Sequence, residues 1–294
     1  MLTFLLASAL VTPAHADDFW QTWGDGKAEV DTYTLAQPRY GAVNRGDAVL
    51  IFVTEDFSWS ERVKADPGSH PDGDIRKVFK LNAMRNFDTG IYTYHVMTSA
   101  FLRVDGGDGM AALDPIKVTF SAQEWCGMVY DELVMGPGTV RKTGHTYFDA
   151  DTAPPATVKV PPGVVYGDAL PVLMRGLKGE WVAAGASRTF DYYPSSMDTR
   201  FAHVVARLGR VTVTRGAGTS TRTVPAGSFP VETWTTAVDG GETITWFLEA
   251  AAPHRIVAWE SSAGEKAELK ASERLPYWSM HGPEHLNDRT RMGL

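Results

Sequence analysis

The sequence predicts a mainly β protein, built of curved antiparallel sheets with one short helix between two β halves. Apolar residues recur at a spacing of two along most of the chain, turns rich in Gly and Asp interrupt that alternation regularly, and a single stretch shows helical spacing. The composition suits a chain with a large core: of 294 residues, 44% are apolar, 11% aromatic and 21% charged. Lys and Arg number 28 against 35 Asp and Glu, a net charge of −7, which disfavours phosphate backbones and anionic lipid surfaces. Nucleic acid is therefore not an expected partner.

At the start, Leu2 to Val11 form an apolar run, Thr12-Pro13 breaks it, and Ala14-His15-Ala16 offers a small-x-small cleavage pattern before Asp17. Residues 1–16 read as a secretory signal peptide with a weak n-region, since no Lys or Arg precedes the run. An N-terminal anchor, or a segment docked on the core, is the other reading. Export to the periplasm or beyond is expected. No later stretch reaches the roughly 18 apolar residues of a transmembrane helix, so the mature chain is not expected to be an integral membrane protein.

Strands are predicted at Lys27–Leu35, Ala48–Thr54, Ile75–Leu81, Ile91–Val104, Ile116–Trp125, Met128–Met135 and Val140–Phe148, which make an N-terminal β half of residues 17–150. A second set follows at Arg188–Tyr192, Val211–Arg215, Phe229–Val238, Thr243–Ala250, Arg255–Ser261 and Lys266–Ala271, which with a polar C-terminal tail makes a second half of residues 185–294. Between them, residues 151–184 begin with Pro154, Pro155, Pro161 and Pro162, which a central ladder excludes because proline lacks the N–H donor, so a linker or edge segment is expected. Tyr166–Leu177 then places Ala169, Leu170, Leu173, Met174 and Leu177 on one helical face. That stripe predicts a helix docked between the halves, with strand faces such as Val49, Ile51 and Val53 supplying the core. In the last hairpin Ile244, Trp246 and Leu248 share one face and Val257 and Trp259 another, which brings two Trp into register.

Catalytic and metal motifs are tested and mostly rejected. His281-Gly282-Pro283-Glu284-His285 has the letters of an inverted zinc-protease signature, but Gly-Pro opposes the helix that must present both His. G-x-S-x-G, P-loop and dinucleotide fingerprints do not occur, and no metal or cofactor is expected. The acidic turns 70–74 and 105–109 carry hard oxygens but not the spaced calcium loop with its closing Glu. Cys126 is the lone cysteine, so no internal disulfide forms. Its expected place is the core, with Glu124 in a buried polar bond. Cys126 as nucleophile, with His95 or His145 as base and Glu124 nearby, is the weaker alternative, because sequence does not bring either His within hydrogen-bond reach.

The blocks Val224-Pro225-Ala226-Gly227-Ser228-Phe229-Pro230-Val231-Glu232, Trp246-Phe247-Leu248-Glu249 and Pro253-His254-Arg255-Ile256-Val257-Ala258-Trp259-Glu260 resemble exported β half-barrel domains of unknown function related to periplasmic lipoprotein carriers. Val53-Thr54-Glu55, Lys80-Leu81-Asn82, Thr89-Gly90-Ile91-Tyr92, Gln123-Glu124-Trp125-Cys126-Gly127 and Ser272-Glu273-Arg274-Leu275-Pro276-Tyr277-Trp278 are similar to an uncharacterised exported bacterial family over nearly the whole mature chain. Some of its members carry the label septum formation inhibitor Maf, which belongs to cytoplasmic nucleotide pyrophosphatases. The leader, the β periodicity and the lack of a phosphate-binding segment do not fit that label. The resemblance brings no catalytic residues; it implies a concave sheet with a helix near its mouth, a shape suited to apolar ligands.

Three functions remain. The first is a non-enzymatic binding or carrier module whose concave face, with Trp125, Trp246 and Trp259, holds a lipid-like ligand. The second is an assembly factor of the cell envelope acting through a protein partner, with edge strands beside the Pro-rich segment accepting a strand. The third is a Cys126-dependent hydrolase or transferase.

Overall fold

The computed structural model describes residues 15–294. All but the last two residues of the expected leader lie outside the described residues. Strands follow one another as meanders: β1 (Ala28–Arg39), β2 (Ala42–Ser58), the short β3 (Val63–Lys64), β4 (Ile75–Thr89), β5 (Tyr92–Arg103), β6 (Pro115–Glu124), β7 (Gly127–Gly136), β8 (Thr139–Thr146) and β9 (Ala156–Lys159). The second run is β10 (Val165–Tyr166), β11 (Ser187–Tyr193), β12 (Gly209–Val224), β13 (Gly227–Val238), β14 (Thr243–Glu249), β15 (Ile256–Ser261) and β16 (Lys266–Leu275). Neighbours in the sheet run antiparallel, except β10 and β11, which pair in parallel. Between β1 and β2, Tyr40 and Gly41 both take positive φ, 54° and 75°, the twist-matched geometry of a two-residue hairpin.

All sixteen strands belong to one sheet, in the order β10-β11-β12-β13-β14-β15-β16-β1-β2-β4-β5-β6-β7-β8-β9, with β3 beside β2. The two runs are joined by the antiparallel ladder of β1 with β16, from Ala28↔Leu275 to Ala36↔Lys266. The two ends of the order, β9 and β10, are separated in sequence only by residues 160–164. That connection reaches about 20 Å when extended, whereas fifteen strands laid flat at ~4.8 Å spacing would be about 70 Å wide. The sheet must therefore curl until its edges nearly meet. It stays unclosed, because β9 and β10 do not pair.

Curling gives each strand an inner and an outer phase. Tyr33 and Leu35 on β1, Leu50 and Phe52 on β2, Phe79 and Leu81 on β4, and Leu102 and Phe120 on β5 and β6 fill the interior. Val49, Ile51 and Val53 do not join that interior, contrary to expectation: with Ala28 and Val30 they form a second cluster on the outer face. That face is apolar because the C-terminal segment covers it. Helix α4 (Leu286–Arg291) leads to Met292, 3% exposed, whose carbonyl accepts a 2.6 Å hydrogen bond from Thr32 Oγ1. The expected free polar tail is thus part of the packing.

The helical stretch is shorter than its stripe suggests. A 3₁₀ turn at Gly167–Ala169 runs into α2 (Leu170–Leu173), and Gly176 at φ 61° ends the turn before Leu177. Ala169, Leu170 and Met174 are buried inside the curl, while Leu173 and Leu177 are half-buried. Two further helices flank the interior: α1 (His15–Trp23), whose Phe19 and Trp23 pack on Phe79, and α3 (Ser196–Phe201), capped by Ser195 Oγ accepting from the Met197 N–H. The Pro-rich segment supplies β9, an edge strand paired only with β8. Among the described residues no helix is long and apolar enough to cross a membrane.

Candidate functional site

Strand direction defines two ends of the curl. The β1–β2, β4–β5, β6–β7, β13–β14 and β15–β16 turns share one end, called the upper end. Inner-phase side chains are large at mid-height, where Phe52, Phe79, Leu102 and Phe120 have no exposed surface. Towards the upper end they shrink to Ala83, Thr98 and Ala100, and the space so released is a cavity of about 800 Å³. Trp246 and Trp259 form one wall, α3 and the Gly167–Pro171 turn another, and Tyr40, Val204 and Val205 stand exposed at its mouth. This volume lies within the roughly 300–1,000 Å³ typical of small-molecule sites.

Trp246 and Trp259 lie opposite each other in the β14–β15 ladder, ring centroids 5.8 Å apart, as the sequence pattern predicts. Both indole N–H groups are satisfied: Trp246 donates to Thr236 Oγ1 at 3.1 Å and Trp259 to Glu265 Oε1 at 2.5 Å. Both rings line the hollow, and that of Trp259 also packs on Tyr33 at 5.0 Å and faces the Arg85 guanidinium at 5.7 Å. Trp125 is not with them. It occupies the tip of the β6–β7 hairpin, 73% exposed, its ring 6.4 Å from that of Tyr92. Alternation along a strand does not extend through a turn, so the expected concave-face position is corrected to the outside rim.

Several polar groups of the cavity are ones that sequence reading passed over. Arg85 holds Glu265 at 3.0 Å within the wall. Asp168 is 9% exposed and accepts the Ser196 N–H at 3.1 Å; burial raises its carboxyl above the ordinary value despite that bond. Asp198, in the first turn of α3, is exposed along the lining of the hollow. Enclosure by protein, reinforced by the carboxylates of Asp168, Glu265 and Glu242, pushes it up to about 7. Gln37, 5% exposed, also lines the cavity. A signal for two of these existed: Gln37 is in phase with Tyr33 and Leu35, and Arg85 with Leu81 and Ala83, so each puts a polar group on a core phase. Asp198 and Glu265 lie outside any alternating stretch and gave none.

Cys126 is exposed rather than buried, a second correction. Glu124 pairs with Gly127 across the hairpin, which leaves Trp125 and Cys126 as its two turn residues. The Glu124 carboxylate accepts the Cys126 N–H at 2.7 Å, so Glu124 makes a polar bond at the surface instead of the expected buried one. By its hydrogen bond and charge it also pushes the thiol above its ordinary value, which lowers the thiolate fraction. His95 and His145 are both exposed, and His95 Nδ1 is 2.9 Å from Asn86 Oδ1. Neither is hydrogen-bonded to Cys126 among the described residues. The weak catalytic quartet is therefore not assembled.

The rejected ion motifs have other partners. Asp74 accepts from Ser60 N–H at 2.8 Å, and Asp108 binds Arg76 at 2.7 Å together with Arg103, which holds its carboxyl down at about 2. His285 Nδ1 lies 2.8 Å from Asp288 within the C-terminal segment.

No protein-family model matches the chain, and no curated protein matches it either. Among solved structures it is similar to a beta-barrel-like protein of a domain of unknown function, DUF1849, from Brucella abortus, at 11% identity and a TM-score of 0.49, covering 84% of this chain and 98% of that one.

Proposed function

We propose that this protein is an exported, non-enzymatic binding or carrier module for an apolar or amphipathic ligand, held in the upper cavity of the curled sheet. The observation that carries this reading is the hollow itself: about 800 Å³ open at a mouth and walled by Trp246 and Trp259 has the size and lining of a small-molecule site. The exported location is supported by the residue pattern of the leader. Calorimetric titration with 1-decanol, a neutral amphiphile, tests the reading. One molecule should bind per chain, and Ala83→Phe, which fills the cavity from β4, should abolish the heat. No binding to the parent protein, or undiminished binding to the filled variant, overturns it.

A second reading, an envelope assembly factor, is favoured by one observation. Ile91, Trp125, Met128 and Tyr147 stand exposed on neighbouring strands and turns of the same rim, with Trp125 against Tyr92. Clustered exposed apolar residues mark interaction surfaces more often than chance. Crosslinking in intact cells separates the readings: recurrent capture of one protein through this rim, lost in Trp125→Ser, supports the second.

A further inference from the structure

Resting on the cavity reading above, we infer that the ligand carries a cationic amine, which seats between Asp168 and Asp198 while its apolar chain lies along Trp246 and Trp259. Two independent features of the lining lead there. The first is a pair of neighbouring carboxylates, Asp168 buried and Asp198 exposed at the lining. Asp168 and Asp198 both line the hollow, and two of the three guanidinium groups that line it are engaged elsewhere. Arg85 is held by Glu265 at 3.0 Å, Arg39 donates to the Phe201 carbonyl at 2.8 Å near the mouth, and Arg207 is exposed. Asp168 accepts from the Ser196 N–H with the Ser195 and Ser196 hydroxyls beside it, and Asp198 has no side-chain hydrogen bond among the described residues.

The second feature is Gln37. It follows Tyr33 and Leu35 on the inner phase of β1, is 5% exposed, lines the same cavity, and its Oε1 has no hydrogen-bond partner among the described residues. A buried carbonyl left without a donor is costly, by an amount that a ligand N–H removes. An ammonium group supplies what these groups lack together: positive charge for two carboxylates and several N–H donors for three acceptors. Trp246 and Trp259 add apolar surface along which an alkyl chain lies.

The electrostatics make the interaction pH-dependent. Asp198 is faced by Asp168, Glu265 and Glu242, with Arg85 as the opposing charge, and in the empty cavity it takes up a proton near pH 7. An ammonium ion displaces that proton, so its affinity rises as pH rises through that value.

Decylamine, 1-decanol and decanoate share a chain length and differ in head group, so their affinities at pH 8, measured by calorimetry below their aggregation limits, test the inference. Decylamine, protonated at that pH, should bind about tenfold or more tightly than decanol, with decanoate weakest. Asp198→Asn should remove most of the advantage of the amine while decanol binding persists, which also shows that the variant is folded. Lowering the pH to 5.5 should narrow the gap in the parent protein. If decanol binds and decylamine binds no better, or decanoate binds best, or Asp198→Asn leaves the preference intact, the amine assignment is wrong and the cavity reading stands. If none of the three binds, both fall.

Discussion

Arg175 and Glu29, 146 residues apart in the chain, form a two-pronged ion pair inside the curled sheet, Nη1 lying 2.7 Å from Oε1 and Nη2 3.1 Å from Oε2. The guanidinium has no exposed surface; it lies 4.4 Å from the Phe52 ring centroid and 5.2 Å from that of Trp23, and its Nε donates to the Pro253 carbonyl at 3.0 Å. Asp31, the next inner-phase residue of β1, is fully buried and faces Ser272 across the ladder without closing a hydrogen bond. Burial, then the neighbouring Glu29 charge, raises its carboxyl well above the ordinary range. The guanidinium thus pairs with Glu29, and Asp31 beside it is left without a hydrogen-bond partner.

Removing that guanidinium should be among the most damaging single changes in the protein. Arg175→Met leaves Glu29 as a buried charge without a partner, at a cost of about 3–5 kcal/mol in urea unfolding. Adding Glu29→Gln should recover part of the loss, because the stranded charge is then gone. An Arg175→Met variant within 1 kcal/mol or so of the parent would contradict this account of the pair.

Raised aspartates set the pH dependence of stability. Asp31, Asp168 and Asp198 hold protons in the folded state that the unfolded chain releases near pH 4, so their contribution is complete below that value and is lost as pH rises through the folded values, which for Asp198 is about 7. Unfolding free energy should therefore fall between pH 4.5 and pH 7.5 from these groups. Asp198→Asn should make that fall shallower. Asp74 and Asp108 are lowered and act oppositely, but below pH 4, so a series of urea melts above pH 4.5 isolates the raised set. Equal slopes for parent and variant would refute the assignment.

We propose that the two β runs unfold together, because the β1–β16 ladder joins them and Leu170 packs inside the curl. Leu170, 4% exposed, is a sharper probe than the half-buried Leu173. Leu170→Asp places a carboxylate among apolar groups and should cost several kcal/mol, about 2–5. Hydrogen exchange should show loss of protection in β4–β6 and β13–β15 alike; loss in one run only would make them independent units.

Cys126 offers a test at the rim. Its thiol is exposed, so iodoacetamide should label the folded protein without denaturant, slowly at pH 8 because Glu124 suppresses the thiolate. Glu124→Gln should speed labelling by about threefold to tenfold. Stability should be unchanged in Cys126→Ser. Absence of labelling in the native state would return the thiol to the core.

The sequence by itself determined the strands, their antiparallel meander and the Trp246–Trp259 register, because side-chain alternation and turn chemistry are local and repeat wherever the chain pairs with its neighbour in sequence. It also kept the Pro-rich stretch out of a central ladder, as a linker or an edge, since missing N–H donors cannot be supplied from afar. The β1–β16 closure, the nearness of β9 to β10 and the covering of Val49, Ile51 and Val53 by the C-terminal segment were decided only by tertiary structure, for each joins residues far apart in the chain. The same holds for the cavity and its acids. Asp168, Asp198 and Glu265 come from a 3₁₀ turn, a helix and a hairpin turn, and only the curl of the sheet brings them to one cavity, which no local pattern of residues encodes. Trp125 and Cys126 show the reverse case: a two-residue turn ends the alternation and sends to the surface side chains whose types favour the interior.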